Sequence, residues 1–351
     1  EAYPKRDDIA SYPLVGTEHL HCIADAVEDA IRGRPTTYIG RNNQERLALP
    51  VSAKHSAIAI IPISKGCLSH CSYCATKLAR GQLQSFGARR IVERVEQVVE
   101  NGSNHIWLTS QDCAVWGLDI KQTIADLLDA VIAVPGDFKV RLGMANPLFF
   151  KRFEQRLVDI FHCHKMYKFL HLPVQSGSNK VLKIMKRGYT AEEFERIVQV
   201  FRKHHPDMTI ATDVIVGHPG ESDQDFAQTL DILKKTKPEV VNFSRFSARP
   251  DTQAARMTLI DKATVDKRMK QLKSLLYRQF VATNKSWVGW RGPVYIEQQK
   301  KEGSVVGRTS NYRPVVIDGY IEPGRKIDIQ VNGYTPYHLK GESYGRDIQV
   351  V

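Results

Sequence analysis

What this sequence lacks narrows its possibilities before any motif is read. No apolar run among its 351 residues reaches the eighteen or so needed to span a bilayer, so no membrane partner is expected. The opening EAYPKRDDIA has neither the apolar stretch of a secretory leader nor an initiator Met, so a trimmed start is expected. Cysteine is scarce, six in all and unevenly spaced. That is no disulfide scaffold for a chain this long, and a reduced, cytoplasmic setting is expected. There is no internal repeat and no low-complexity segment. What is there is ordinary for a globular protein, 42% apolar and 25% charged, with length for two or three domains. The charge is unbalanced: a formal +12 and a pI near 9.3 favour a polyanionic partner.

Residues 17–33, TEHLHCIADAVEDAIRG, carry Leu20, Ile23, Ala24, Val27 and Ile31 at helical spacing, with Thr17 as N-cap and Gly33 as stop. One amphipathic helix cannot make a domain, so residues 1–50 are expected to dock on a neighbour. From 57 to about 246 six apolar runs (57–63, 105–110, 139–143, 167–173, 208–217 and 240–246) alternate with helical patterns, one of them capped by Ser222. Such alternation predicts a parallel α/β sheet curled into a partial barrel. Residues 261–288 predict a long helix with Met269, Leu272, Leu276 and Phe280 inward. Beyond it, short alternating strands separated by Gly and Pro predict a small all-β barrel. The expected divisions are 1–50, 51–283 and 284–351.

Half the thiols sit in one loop, KGCLSHCSYCAT, where Cys67, Cys71 and Cys74 have C-x3-C-x2-C spacing. Zinc asks for four ligands, and His70 could complete a Cys3His set only from between the thiolates that must wrap the ion. A [4Fe–4S] cluster with one open iron needs three thiolates, which is what the loop offers. The loop follows the first strand of the α/β region, on the face where such barrels keep their chemistry. Distinctive polar tips recur after the later strands: Gln111 and Asp112, Asn146, Gln175 and Ser176, GHPGES at 217–222, and Arg249.

The C-x3-C-x2-C loop with Tyr73 before its last cysteine resembles the radical S-adenosylmethionine (SAM) superfamily. KGCLSHCSYCATKLARG, LTSQD, RLGMANP, HLPVQSGSNKVLKIMKRGY, TDVIVGHPGESDQDF and SARPDTQAARM together resemble the methylthiotransferases. RLGMANP and CATKLARG are most similar to the archaeal and eukaryotic branch, the threonylcarbamoyladenosine tRNA methylthiotransferases. The resemblance runs from about residue 10 to 350 and implies a radical SAM partial (β/α)6 barrel followed by a TRAM-like RNA-binding barrel. It also implies a 5′-deoxyadenosyl radical that takes hydrogen from C2 of the adenine, then methylthio insertion there. By position, Cys67, Cys71 and Cys74 would hold the [4Fe–4S] cluster. Tyr73, Gln111, Asp112, Arg141, Gln175 and Ser176 would bind SAM, and Arg80, Asn146 and Arg249 would stand on the substrate or sulfur-transfer side. Expected partners are tRNA and an electron donor, acting on a monomer. Isopentenyladenosine in tRNA, a ribosomal protein, or a silent RNA-binding module with a structural cluster stay open as alternatives.

Departures from the family pattern are GHPGES for GFPGET (His218), ARPDTQAA for PRPGTPAA, and Trp116-Gly117 for a Tyr-Gly pair, all expected near the substrate. Family members also carry an N-terminal domain with three cysteines and a second [4Fe–4S] cluster. Residues 1–50 resemble only its tail, and Cys22, Cys113 and Cys163 are read as isolated thiols. The chain is therefore expected to be a fragment that cleaves SAM without completing sulfur insertion. Residues 285–351 hold ten Lys/Arg against seven Asp/Glu, with aromatics interleaved in RTSNYRP and VNGYTPYHLK. Those two stretches predict an RNA-facing stacking and phosphate-contact surface.

Overall fold

A computed structural model of the chain describes residues 12–34, 36–40, 47, 56–300 and 303–344. The expected boundary at residue 50 lies outside them. The one at 283 falls within the last turn of a helix, Lys262–Lys285.

Each of the six apolar runs forms a strand: Ile58–Pro62, His105–Thr109, Lys139–Leu142, Phe169–His171, Thr209–Val216 and Val240–Arg245. Neighbours in sequence pair in parallel, three and three, and the Val140–Met166 bridge joins the halves. The inner strands His105–Thr109, Lys139–Leu142, Phe169–His171 and Thr209–Val216 are mostly buried, as a sheet covered on both faces needs, while the two edge strands are more exposed. Helices return the chain between strands, started by capping boxes at Thr123–Asp126, Thr190–Glu193 and Ser222–Asp225. Each box satisfies two orphan backbone N–H groups reciprocally. Ile91, Val95, Leu127, Phe150, Phe194, Phe201 and Leu272 lie in the one core that this packing creates. The result is an open six-stranded parallel barrel, the partial (β/α)6 barrel the alternation predicts.

The C-terminal strands Arg291–Gln299, Ser304–Thr309, Pro314–Asp318, Leu339–Ser343 and Lys326–Tyr334 close into a small barrel in that spatial order. Val294, Ile296, Val305, Val315, Ile329 and Leu339 fill it. At Gly307 a Cβ would meet the Val294 side chain at 2.4 Å, so only glycine lets these two strands close. This barrel sits under the larger one, at the N-terminal ends of the parallel strands. Asn104 donates to the Gly324 carbonyl, the Lys168 N–H to Ser310 O at 3.0 Å, and Asn311 Nδ2 to Asp207 O at 3.1 Å.

Two expectations change here. The helix near the N-terminus runs Ile23–Ile31, with Cys22 rather than Thr17 as N-cap. Its predicted inner stripe points outward: Ile23, Val27 and Ile31 are 51%, 51% and 81% exposed, while Ala26 is buried. The stretch RTSNYRP is not an RNA-facing surface. Thr309, Asn311, Tyr312 and Arg313 are all buried, because the turn plugs the floor of the parallel barrel. Tyr337, from the second stretch, is 74% exposed.

Candidate active site

The cysteine loop opens immediately after the first strand. Gly66 sets its entry: with φ +70° and a Cβ that would lie 1.8 Å from the Gln82 carbonyl oxygen, no other residue fits. Lys77 donates to the Cys67 carbonyl and, at 2.9 Å, to Gln82 Oε1, which ties the helix Ala75–Arg80 back over the loop. The Ser72 N–H donates to Met185 O at 3.1 Å, and Ser72 O accepts from the Ala254 N–H at 2.8 Å. The loop is thereby held from two later connections.

Cys67, Cys71 and Cys74 are free thiols that line one cavity of about 310 Å³. Tyr73, Gln111, Asp112, Asn146 and Gln175 line the same cavity, so tips of the first, second, third and fourth strands meet there. Asp112 Oδ1 accepts from the backbone N–H groups of Ala114 and Asn146, at 3.1 and 3.0 Å. Burial pushes its carboxyl up to about 6. Asn146 Nδ2 donates to Ser69 Oγ at 3.1 Å, coupling this tip to the cysteine loop. Gln175 sits at φ +66°, its backbone bridging Asp213 O at 2.7 Å and the Ile215 N–H at 3.0 Å.

Three acceptors in this lining, Gln111 Oε1, Asp112 Oδ2 and Gln175 Oε1, are buried without a hydrogen-bond partner among the described residues. Native interiors rarely leave such groups unmade. A ligand bringing N–H donors, such as an α-ammonium group, would satisfy them. Burial, and after it the nearby Asp112, pushes the Cys67 thiol up against the Ser69 N–H that donates to its Sγ at 3.3 Å, and a bound metal would favour its thiolate further. Three convergent thiols beside unpaired acceptors fit an iron–sulfur cluster together with an amino-acid-bearing ligand.

Two residues outside the recurring polar tips also line this cavity. Arg187 lines the cavity, is 6% exposed, and donates from Nη1 to Cys71 Sγ at 3.1 Å and from Nε to Tyr189 OH at 3.1 Å. Asp213 lines it too, accepting from Asn242 Nδ2 and paired with His171 Nε2, both at 2.9 Å. A lone acid in the apolar run MTIATDVIVG is a signal that could have found Asp213. Arg187 lies at a helix end, where basic residues are common, and its sequence context carries no such signal.

Four expected site residues stand elsewhere. Arg141 lines a separate cavity of about 480 Å³, because its place on the third strand turns it toward Trp107 and Phe169. Ser176 is fully buried and braces its loop, its Oγ 3.3 Å from Thr229 Oγ1. Arg80 closes the helix after the cysteines, and Arg249 is exposed; neither lines the cavity. Among the family departures, His218 lies beside the site, its ring edge-on to Tyr73 at 6.1 Å. Trp116 does not: it is buried in the core and donates to the Phe86 carbonyl at 3.1 Å. Of the scattered thiols, Cys113 is fully buried and pushed up to about 11 by that burial. Cys22 is not isolated, since His19, His21 and Cys22 hold one donor atom each within 4.8 Å of one another. A roomier cleft of about 650 Å³ between residues 177–195 and 224–235 contains none of the cysteines.

The radical SAM superfamily profile matches residues 61–233, and the TRAM domain profile matches 285–343. A curated relative, the probable threonylcarbamoyladenosine tRNA methylthiotransferase of Pyrococcus abyssi, is 37% identical over 332 residues, which is 94% of this chain and 78% of the relative. The Archaeoglobus fulgidus protein of the same name is 37% identical over 93% of this chain and 77% of its own. The human threonylcarbamoyladenosine tRNA methylthiotransferase is 31% identical over 97% and 60%. Among solved structures, coproporphyrinogen III oxidase from Escherichia coli, a radical SAM enzyme, superposes with a TM-score of 0.49 at 11% identity, over 80% of this chain and 68% of that one.

Proposed function

The chain belongs to the threonylcarbamoyladenosine tRNA methylthiotransferases of the radical SAM superfamily, and on that premise we propose which of its residues do the work. The family's reaction is conversion of N6-threonylcarbamoyladenosine in tRNA to the 2-methylthio derivative, and the residues assigned here account for its SAM-cleaving part. When bound, a [4Fe–4S] cluster and SAM supply the reductive chemistry that generates a 5′-deoxyadenosyl radical, and the radical chemistry itself belongs to those groups.

The protein's part is to hold, orient and exclude water. Cys67, Cys71 and Cys74 would ligate three irons, leaving the fourth open. Arg187, at 3.1 Å from Cys71 Sγ, would donate to the ligated sulfur and raise the cluster's potential. The unpaired oxygens of Gln111, Asp112 and Gln175 would accept from the ammonium group of SAM, and Tyr73 would pack along the same ligand. With an ammonium in place, the carboxylate of Asp112 is the favoured state, because the nearby positive charge offsets the cost of burial. Asn146 would fix the loop between ligand and substrate, while Arg80 and Arg249 are left to the outer rim. We assign tRNA contact to the small barrel, with Tyr320 and Tyr337 exposed on it at 60% and 74%. An electron donor, a cytoplasmic setting and a monomeric state complete the proposal. The second [4Fe–4S] cluster is not assigned to residues of this chain.

The observation that carries this reading is the meeting of three free thiols and three unpartnered buried acceptors in one cavity. Anaerobic reconstitution with iron and sulfide, followed by SAM and a reductant, tests it directly. Formation of 5′-deoxyadenosine is expected, and its absence would sink the radical assignment. Nucleosides from cells lacking the protein should have lost 2-methylthio-N6-threonylcarbamoyladenosine while retaining the precursor.

A further inference from the structure

The second cavity, about 480 Å³, lies between the inner faces of the parallel strands and the turn that the small barrel pushes into the floor. Trp107, Arg141 and Phe169 come from the strands, Asn284 from the long helix, and Arg308, Tyr312 and Arg313 from the small barrel. His171 and Asn242 line this cavity and hydrogen-bond Asp213 in the lining of the cysteine cavity, so the His171–Asp213–Asn242 cluster is the partition between the two.

The chemistry of this lining is the reverse of its neighbour's. Its buried polar atoms without partners among the described residues are Trp107 Nε1, Arg141 Nε, Arg313 Nε and Thr209 Oγ1, three of them obligate donors. The guanidinium of Arg141 has neither a hydrogen bond nor an ion pair among the described residues. It lies instead over three rings, at 5.3 Å from Trp107, 4.9 Å from Phe169 and 5.3 Å from Tyr312. Each ring offsets part of the cost of removing a cation from water, but none supplies an acceptor. Of the carboxylates nearby, Glu239 lines the cavity and is committed, while Glu297 stands outside the lining and keeps one buried oxygen, Oε1, unpartnered among the described residues. Glu297 accepts from Arg308 Nε at 2.8 Å, and Glu239 accepts from Arg202 at 3.0 Å and from the Ile210 N–H at 2.7 Å. Arg313 makes only long contacts, Nη2 to Glu239 at 3.6 Å and Nη1 to Asn284 Oδ1 at 3.5 Å, and its Nε has no partner among the described residues. A purely structural cavity between two domains would be lined by paired or apolar groups.

We propose that this cavity is an anion-binding subsite, built jointly by the two barrels, that takes the carboxylate or phosphate of a ligand with a flat ring to lay against Trp107 and Tyr312. Arg141 and Arg313 are its charged donors, and its volume suits a nucleoside-sized group. The site stands apart from the family reading. Only its assignment to the threonylcarbamoyl carboxylate of the substrate rests on that reading, while a phosphate of RNA is the other source of the same chemistry.

Isothermal titration of the full chain at fixed ionic strength tests this with three probes: inorganic phosphate, N6-threonylcarbamoyladenosine, and adenosine as the uncharged control. At least one anionic probe should bind saturably and more tightly than adenosine, and at least tenfold more weakly to Arg141→Gln and Arg313→Gln, as expected for the loss of a charged hydrogen bond. Threonylcarbamoyladenosine alone identifies the substrate carboxylate, and binding of phosphate as well identifies a phosphate site. If Arg141→Gln does not fold, Arg313→Gln and the wild-type titrations decide. Three results would each overturn the proposal: no saturable anion binding, adenosine binding as tightly as either anion, or undiminished anion binding in every folded variant. Loss of 5′-deoxyadenosine formation with anion binding intact would instead fault the functional reading and leave this site standing.

Discussion

The mouth and the floor of the same barrel have opposite chemistry. At the mouth, after the C-terminal ends of the strands, three thiols and three unpaired acceptors surround a cavity. Toward the floor, a fused aromatic cluster and unpaired donors surround another. One end asks for a metal and an ammonium, the other for an anion, and both are hosted by the same six strands. Where a strand ends decides which: loop tips carry the acceptors, while residues within strands, together with Arg313 of the second domain that walls them, carry the donors. The floor also supplies rigidity. His105 Nδ1 and Tyr167 OH meet at 2.6 Å, and Tyr167 packs on Tyr295 and Tyr312.

The sharpest way to break this comparison is to remove one thiol. Cys71→Ala is expected to drop 5′-deoxyadenosine formation to background while the melting temperature of the metal-free chain stays nearly unchanged, read by chromatography and by circular dichroism. A large fall in melting temperature would mean that the mouth, too, is a structural centre. At the floor, Tyr167→Ala should cost about 3–5 kcal/mol in urea unfolding, because it empties a fully buried aromatic site. A loss under 1 kcal/mol would show that the two barrels are not packed through it.

Acid should separate the two ends with opposite signs. Burial lowers His105 from 6.5 to about 4, so its neutral form is favoured in the fold. The stability it contributes is complete above pH 6.5 and is lost as pH falls toward 4, at most about 3 kcal/mol. Asp112 is raised from 3.8 to about 6, so stability at the mouth is complete below pH 3.8 and is lost as pH rises through 6, by a similar amount. Urea unfolding of the metal-free chain should therefore show His105→Gln flattening the acid side and Asp112→Asn gaining most near pH 7. Equal pH slopes in wild type and both variants would remove the electrostatic half of the comparison. The smallest effect is expected at the family departure. His218 is buried with Nε2 unpaired, so His218→Phe should change stability by no more than about 1.5 kcal/mol and leave 5′-deoxyadenosine formation intact.

Much of this arrangement is legible in the residues. The six strands follow from apolar runs of the right length between helical patterns, since a sheet covered on both faces has no polar face to blur the signal. The cysteine spacing points to its proposed chemistry because all three candidate ligands sit within one loop. Arg187 was not legible, because its role depends on a helix end folding back to within 3.1 Å of Cys71, 116 residues away. Arg141 was misplaced for a related reason. Its neighbour in sequence, the MANP tip, does reach the mouth, but a strand residue faces whichever side its register dictates.

RTSNYRP shows the same limit most clearly. Its composition, one tyrosine between two arginines, is what either an RNA-facing strand or an interdomain plug requires. The sequence by itself determined the six-strand barrel, the closing β-barrel and the thiols that could hold a cluster, because each is written in local period or spacing. Tertiary structure alone decided which arginines reach which cavity, and whether an aromatic–basic turn meets solvent or a barrel floor. Those outcomes depend on contacts between segments a hundred or more residues apart, and local patterning carries no record of them.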